Sequence, residues 1–172
     1  MACDIITEGV AKGCGNNAGG VEKIYVTDLV NVEGVTETSG HISAFTMAGS
    51  PASVFYEFDF NRNTSSFEEN QPINVENGSA YYEQKVTLVV PKRELSKRNA
   101  LKVLAQRDLA IIVKDGNGTY WYIGKANGAL LTESTSGSGL TKADGSKYSL
   151  VFTAEEFEPA QTIEESAVLA VI

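Results

Sequence analysis

The sequence predicts a mainly β protein: an antiparallel β-sandwich or barrel with one flanking α-helix and extended N- and C-terminal arms. Three observations predict it. Apolar residues recur with period two in several short runs, as expected of strands with one buried face. Gly-centred turns separate the runs, at Asn77-Gly78, Asp115-Gly116-Asn117-Gly118, Asn127-Gly128 and Asp144-Gly145. Only one stretch, residues 93–106, carries its apolar residues at helical spacing over strong helix formers.

Taken in order, residues 1–20 form a Gly-rich N-terminal arm or loop, because Gly9, Gly13, Gly15, Gly19 and Gly20 resist regular structure. Residues 21–155 make the β-domain. Strands are predicted over 21–30 and 41–47. In 54–60, Val54, Tyr56, Phe58 and Phe60 share the face expected to be buried, with Phe55, Glu57, Asp59 and Asn61 opposite. Residues 63–70 are the returning strand. Residues 81–90 alternate again, with Tyr82, Gln84, Val86, Leu88 and Val90 on one face.

Pro91 breaks that strand, and the helix follows at about residues 93–106. Leu95, Leu101 and Leu104 are expected to seat it on the sheets. Residues 109–114 read as a short buried strand, 119–124 as its hairpin return and 129–133 as a further strand. Residues 134–139 read as a Ser/Gly loop, and 148–155 as the last strand. Residues 156–172 form a C-terminal arm, in which Glu156, Glu158, Glu164 and Glu165 precede an apolar end, Ala-Val-Leu-Ala-Val-Ile.

The chain has 172 residues, 42% hydrophobic, 21% charged and 9% aromatic, with 16 Gly and 4 Pro. That is a single-domain length with a globular profile, long enough to bury a core. A net charge of −8 and a pI near 4.7 disfavour binding to nucleic acid by phosphate neutralisation. No run approaches the roughly 18 apolar residues of a membrane span, and no secretory signal is visible at Met1-Ala2-Cys3-Asp4. The expected compartment is a cytosol, or the chain is part of something assembled in one.

Candidate chemistry is sparse. Cys3 and Cys14 cannot complete a four-ligand zinc site, and a reducing compartment disfavours their pairing. His41, the sole histidine, has no sequence-evident partner for base catalysis. Gly13-Cys14-Gly15-Asn16-Asn17-Ala18 fits G-x-G-x-x-A, but it precedes a strand and opens no helix, so it is not a dinucleotide loop. Asp115, Asn117 and Thr119 hint at a calcium loop, yet Tyr120 follows and a hairpin turn explains them better. The triplets at Asn63, Asn77 and Asn117 read as turns. Glu68-Glu69 and Glu155-Glu156 would point to opposite faces of an extended chain, a poor geometry for a shared acid–base site. No catalytic, cofactor or metal residue is assigned.

Charge layout carries more. Between Lys92 and Arg107 lie six basic residues against Glu94 alone, a net +5, while the rest holds 8 basic and 21 acidic residues, a net −13. Such a bipolar protomer suits contacts between copies, although a solvated helix face is the plainer alternative. The C-terminal apolar hexapeptide either packs on its own domain as an edge strand or docks on a neighbour by strand addition. The candidate subunit interface is Lys92, Arg93, Lys97, Arg98, Lys102, Val168, Leu169, Val171 and Ile172.

Four segments carry a family resemblance: ACDIITEGVAKGCGNNAGGVEKIYV, YYEQKVTLVVPK before a helix, DGNGTYWYIGKANGALL, and SGSGLTKADGSKYSLVFTAEEFEPA. Together they resemble a family of virion structural proteins in phages of Bacteroidota, including crAss-like phages, whose members look like tail tube or tail ring subunits. The resemblance spans most of the chain and rests on Gly, aromatic and turn positions. It implies a flanked sandwich or barrel assembled through edge strands and loops into a homo-oligomeric ring. It also implies a lumen that DNA crosses transiently, tail or portal proteins as neighbours, and a virion location after assembly in the host bacterial cytoplasm. The acidic-then-apolar arm departs from a simple tube subunit and leaves tube against single ring open. A capsid decoration or head–tail adaptor protein is the alternative. A carbohydrate-binding sandwich using Trp121, Tyr120 and Tyr122 is a third.

Overall fold

A computed structural model describes residue 15, residues 17–74, residue 76 and residues 78–172. In chain order the elements are β1 (Val21–Asp28), a 3-10 turn (Leu29–Asn31), β2 (Val32–Thr38), β3 (His41–Met47), β4 (Tyr56–Glu57), β5 (Ser66–Asn70), β6 (Ile73–Asn74) and β7 (Ser79–Ala80). There follow β8 (Tyr82–Pro91), α1 (Leu95–Leu104), β9 (Leu109–Asp115), β10 (Tyr120–Ile123), β11 (Leu130–Gly137), β12 (Lys147–Glu156), β13 (Gln161–Ile163) and α2 (Glu165–Leu169).

Seven strands make one sheet, in the order β2-β3-β13-β10-β9-β1-β4, and four make a second, β11-β12-β8-β5. The short β6–β7 ribbon stands apart. Among the described residues each sheet ends in free edges and neither closes on itself, so the architecture is sandwich-like and not a closed barrel. Pairing is antiparallel except where β13 runs parallel to β3, with Thr162 opposite His41 and Ile163 opposite Ile42.

Two apolar layers flank the seven-stranded sheet. Between the sheets, Ile24, Val26, Leu109, Ile111, Val113 and Ile123 meet Val86, Leu88, Leu150 and Phe152 of β8 and β12. On the outer face, Tyr25, Ala110, Ile112, Tyr120 and Tyr122 meet Ile42, Phe55, Ile163, Ala167, Val168 and Val171. Strand β9 therefore reads as a continuous apolar run, because both of its faces are covered. Removing each large side chain from water contributes about 1.5–3 kcal/mol before entropy is counted.

Period-two alternation is obeyed in β8 and β12, where Val86, Leu88, Tyr148, Leu150 and Phe152 point inward and their neighbours outward. The Asp115–Asn117 hairpin forms as expected. Asp115 Oδ1 accepts the N–H groups of Asn117 and Thr119, both at 2.9 Å, which closes the turn.

Elsewhere the structure corrects the expectations. In 54–60 only Tyr56 and Glu57 are paired. Phe55 is buried in the outer layer while Tyr56 is exposed, and Phe58 and Phe60 pack on the inner layer. The segment crosses from one face of the sandwich to the other, so it has no single buried side. Helix α1 seats through Leu101, only 8% exposed, and half-buried Leu104, whereas Leu95 is 70% exposed in the first turn. Strand β11 runs through the supposed Ser/Gly loop to Gly137, because Thr135 and Ser136 pair with Ser149 and Tyr148. Strands β2, β6, β7 and β13 were not expected. They are short or polar, and their partners supply the pairing that their own patterns do not announce.

The C-terminal arm is the largest correction. Residues 161–171 fold onto their own domain as an interior strand and a short helix, so the apolar end packs on its own domain, the first of its two expected courses, but as a helix and not as an edge strand. Glu164 N–H donates to Ile42 C=O at 2.9 Å and Phe55 N–H to Val171 C=O at 2.8 Å. Strand β13 sits between β3 and β10, an interior place in the sheet. The arm thus closes the outer layer that β1, β9 and β10 would otherwise leave open to water. A second helix, α2, accordingly joins the one expected.

Candidate functional site

Pro91 ends β8, and the chain turns at Lys92, whose φ of +61° is a left-handed conformation seldom adopted by side-chain-bearing residues. The turn carries the chain directly into α1. Lys92 and Glu94 pair at 2.6 Å; their hydrogen bond raises the lysine's pKa and lowers the carboxyl's. Both side chains stand in water, so the pair fixes geometry more than stability. Lys97 Nζ donates to Pro91 C=O at 2.7 Å and lies 3.8 Å from Glu94. Arg93 lies 5.9 Å from the Tyr148 ring centroid. These three basic residues are therefore partly committed within the chain.

Arg98 and Lys102 differ. Both are exposed on α1, and neither side chain has an ion pair or hydrogen bond among the described residues. Beside the helix, Lys97, Ala100 and Leu101 face Val90, Pro91 and residues 57–59 across a cavity of about 270 Å³.

The C-terminal half of the expected interface divides. Val168 has no exposed surface and Val171 is buried, both in the chain's own outer layer, and neither is available to a neighbour in this fold. Leu169, 61% exposed, and Ile172 remain on the surface. Burial here was not legible in the pattern, because a five-residue helix turns its apolar positions both inward and outward. Further exposed apolar side chains are Leu130 at the start of the open edge β11, and Leu140 in the loop that follows it.

His41 is exposed and its Nδ1 hydrogen-bonds the Thr162 hydroxyl. Glu155 is exposed and Glu156 buried, on opposite sides of β12 as their adjacency requires. Glu69 accepts Ala160 N–H at 2.6 Å. Tyr120 and Tyr122 are buried, and only Trp121 of that aromatic trio reaches the surface. Its Nε1 donates to Asp115 Oδ2 at 3.1 Å, and its ring lies 6.2 Å from that of Phe67. Trp121 also borders a concavity shared with residues 17–21 and Asn117. Cys3, Cys14, the Gly13–Ala18 motif except at its described positions, and Asn77 lie outside the described residues.

One polar feature escaped sequence reasoning. Gln84, Tyr122, Lys125, Glu156 and Gln161 line a cavity of about 270 Å³ between the end of β12 and the start of β13. Burial, with the charge of Glu156 nearby, pushes the Tyr122 hydroxyl far above its ordinary pKa. Burial also works against the Lys125 charge, but the hydrogen bond and charge of Glu37, with Glu158 beyond, outweigh it and raise the ammonium's pKa. A polar Gln inside the apolar alternation of β8 was the available signal.

Among the described residues no helix is long and apolar enough to cross a membrane. No protein-family model matches the chain, and a search of curated proteins finds no match.

Proposed function

We propose that this chain is a non-enzymatic structural subunit of a bacteriophage virion, assembling with copies of itself into a tail ring or tube through which DNA passes. The observation that carries the reading is the unpaired positive charge of Arg98 and Lys102 on α1, set against a molecule whose remainder is strongly acidic. Opposite charges on one protomer attract successive copies head to tail, and a closing rotation yields a ring. Among the described residues the sandwich also leaves β11 open along eight residues, with Leu130 and Leu140 exposed beside it. Long open edges favour pairing with another chain, and ring closure removes them. An acidic lumen would repel DNA phosphates and keep the conduit free of sticking.

Charge reversal tests the reading. Arg98→Glu with Lys102→Glu is expected to shift the assembled protein to monomer while leaving its melting temperature within about 2 °C, since exposed charges contribute little to folding. Light scattering with negative-stain imaging measures the first, and calorimetry the second. Unchanged assembly, or a wild-type protein that stays monomeric at all concentrations, would sink it. Mass spectrometry and imaging of particles then distinguish a tail subunit from a capsid decoration or head–tail adaptor protein.

A carbohydrate-binding role is the second reading, supported by the half-buried Trp121 beside its concavity. Trp121 is the sole tryptophan, so its fluorescence reports that site directly. A saturable spectral change with oligosaccharides is the expected result of that reading, and a flat titration excludes it.

A further inference from the structure

The polar cavity at the end of β12 has an imbalance of donors and acceptors. Its side-chain N–H donors are committed: Lys125 Nζ to Glu37 and Glu158, Gln84 Nε2 to Glu158 C=O at 3.4 Å, and Gln161 Nε2 to Glu37 and Glu158 at 3.4 and 3.5 Å. Several of its acceptors are not. Glu156, 5% exposed, accepts Ala126 and Asn127 N–H on Oε1 at 3.0 and 2.9 Å, while Oε2 accepts nothing from the described residues. Gln161 Oε1 is buried without a hydrogen bond, and so is the hydroxyl of Tyr122, a residue 1% exposed. Glu156 has no ion-pair partner among the described residues.

Glu156 is a buried carboxylate with hydrogen bonds on one oxygen only, beside two further oxygens that lack partners, and a group that brings several N–H donors and a positive charge serves all three at once. A neutral donor would satisfy the oxygens and leave the carboxylate uncompensated. An anion would face the Glu156 carboxylate and the Gln161 carbonyl, with only the Tyr122 O–H to receive it. Pro159 and Ala126 in the wall offer contact for an alkyl stem.

We propose that this cavity binds an alkylammonium or alkylguanidinium group, held by Glu156, Gln161 and Tyr122. The group belongs either to a free amine or to a lysine or arginine side chain of a second copy of this chain. The inference stands on the cavity alone and does not depend on a virion role.

The test uses the full chain with n-butylammonium and n-butylguanidinium as probes, and n-butanol and butyrate as controls, followed by calorimetric titration and by NMR. Saturable binding of a cation is expected, with butanol and butyrate at least about tenfold weaker. Glu156→Gln keeps the acceptor for Ala126 and Asn127 but removes the charge, and should weaken cation binding by about tenfold or more. Tyr122→Phe deletes only the hydroxyl and should weaken it several-fold; it decides the matter if Glu156→Gln fails to fold. No saturable cation binding overturns the proposal, as does butanol or butyrate binding equally well. Folded variants that bind like wild type overturn it too. Loss of self-association on adding n-butylammonium identifies a side chain of a second copy as the occupant, and cation binding with self-association untouched identifies a free amine.

Discussion

Val168→Asp is expected to destabilise the fold by about 4 kcal/mol or more, because it places an unpaired charge where no water reaches. Val168 is wholly buried among Ile42, Phe55, Ile163, Ala167 and Val171. The substitution attacks the packing that holds residues 161–171 against the outer face, and with it the cover over Tyr25, Ile112 and Tyr122. For a chain of this size the loss corresponds to a melting temperature lowered by roughly 8–16 °C. Leu169→Asp, one position on, is the internal control. Its side chain is largely in water, so the melting temperature should move by no more than about 2 °C. If Leu169 belongs to a contact between copies, the same variant lowers assembly without lowering stability. Equal effects of the two variants on melting would mean that the C-terminal segment does not pack as described.

Gly124→Ala is the second substitution with a severe expected outcome. Gly124 follows β10 with a φ of +73°, and a Cβ there would lie 2.6 Å from Ala129 N, 2.8 Å from Gly128 C and 2.9 Å from Leu109 O. All three are backbone atoms and cannot swing aside. Two of them form the bridge in which Leu109 and Ala129 exchange hydrogen bonds at 2.9 and 2.7 Å. Gly124 N–H also donates to Gln84 Oε1 at 3.3 Å, which ties the corner to the second sheet. The conformational penalty alone is about 1–2 kcal/mol, and displacing the bridge should bring the total to about 3 kcal/mol or more. Gly118→Ala separates the two causes. Gly118 has a φ of +85° but open space around it, so only the conformational penalty applies. Denaturant unfolding of both variants measures the difference, and similar midpoints would refute the steric argument.

Assembly of the proposed ring and folding of the subunit are thus addressed by different residues. Arg98 and Lys102 lie outside every packing contact described, whereas Val168 and Gly124 lie inside the fold. That separation makes a failed ring distinguishable from a failed monomer.

The mainly β class, the alternation of β8 and β12, the apolar run of β9, the Asp115 hairpin and the position of the basic helix were legible in the residue pattern. Each is a local matter: strand period, turn chemistry and helix propensity act over a few residues and need no distant partner. Tertiary structure alone decided which side of Phe55 and Tyr56 faces inward, how Leu95 came to lie in water, and where the C-terminal segment packs. Those outcomes depend on which surface remains uncovered after the two sheets meet. Val168 is buried because residues 161–171 pack on the outer face of β9 and β10, which the four-stranded sheet on the other side does not reach. The polar cavity has the same origin: Gln84, Tyr122, Glu156 and Gln161 come from four different strands, and their oxygens converge only once those strands are packed.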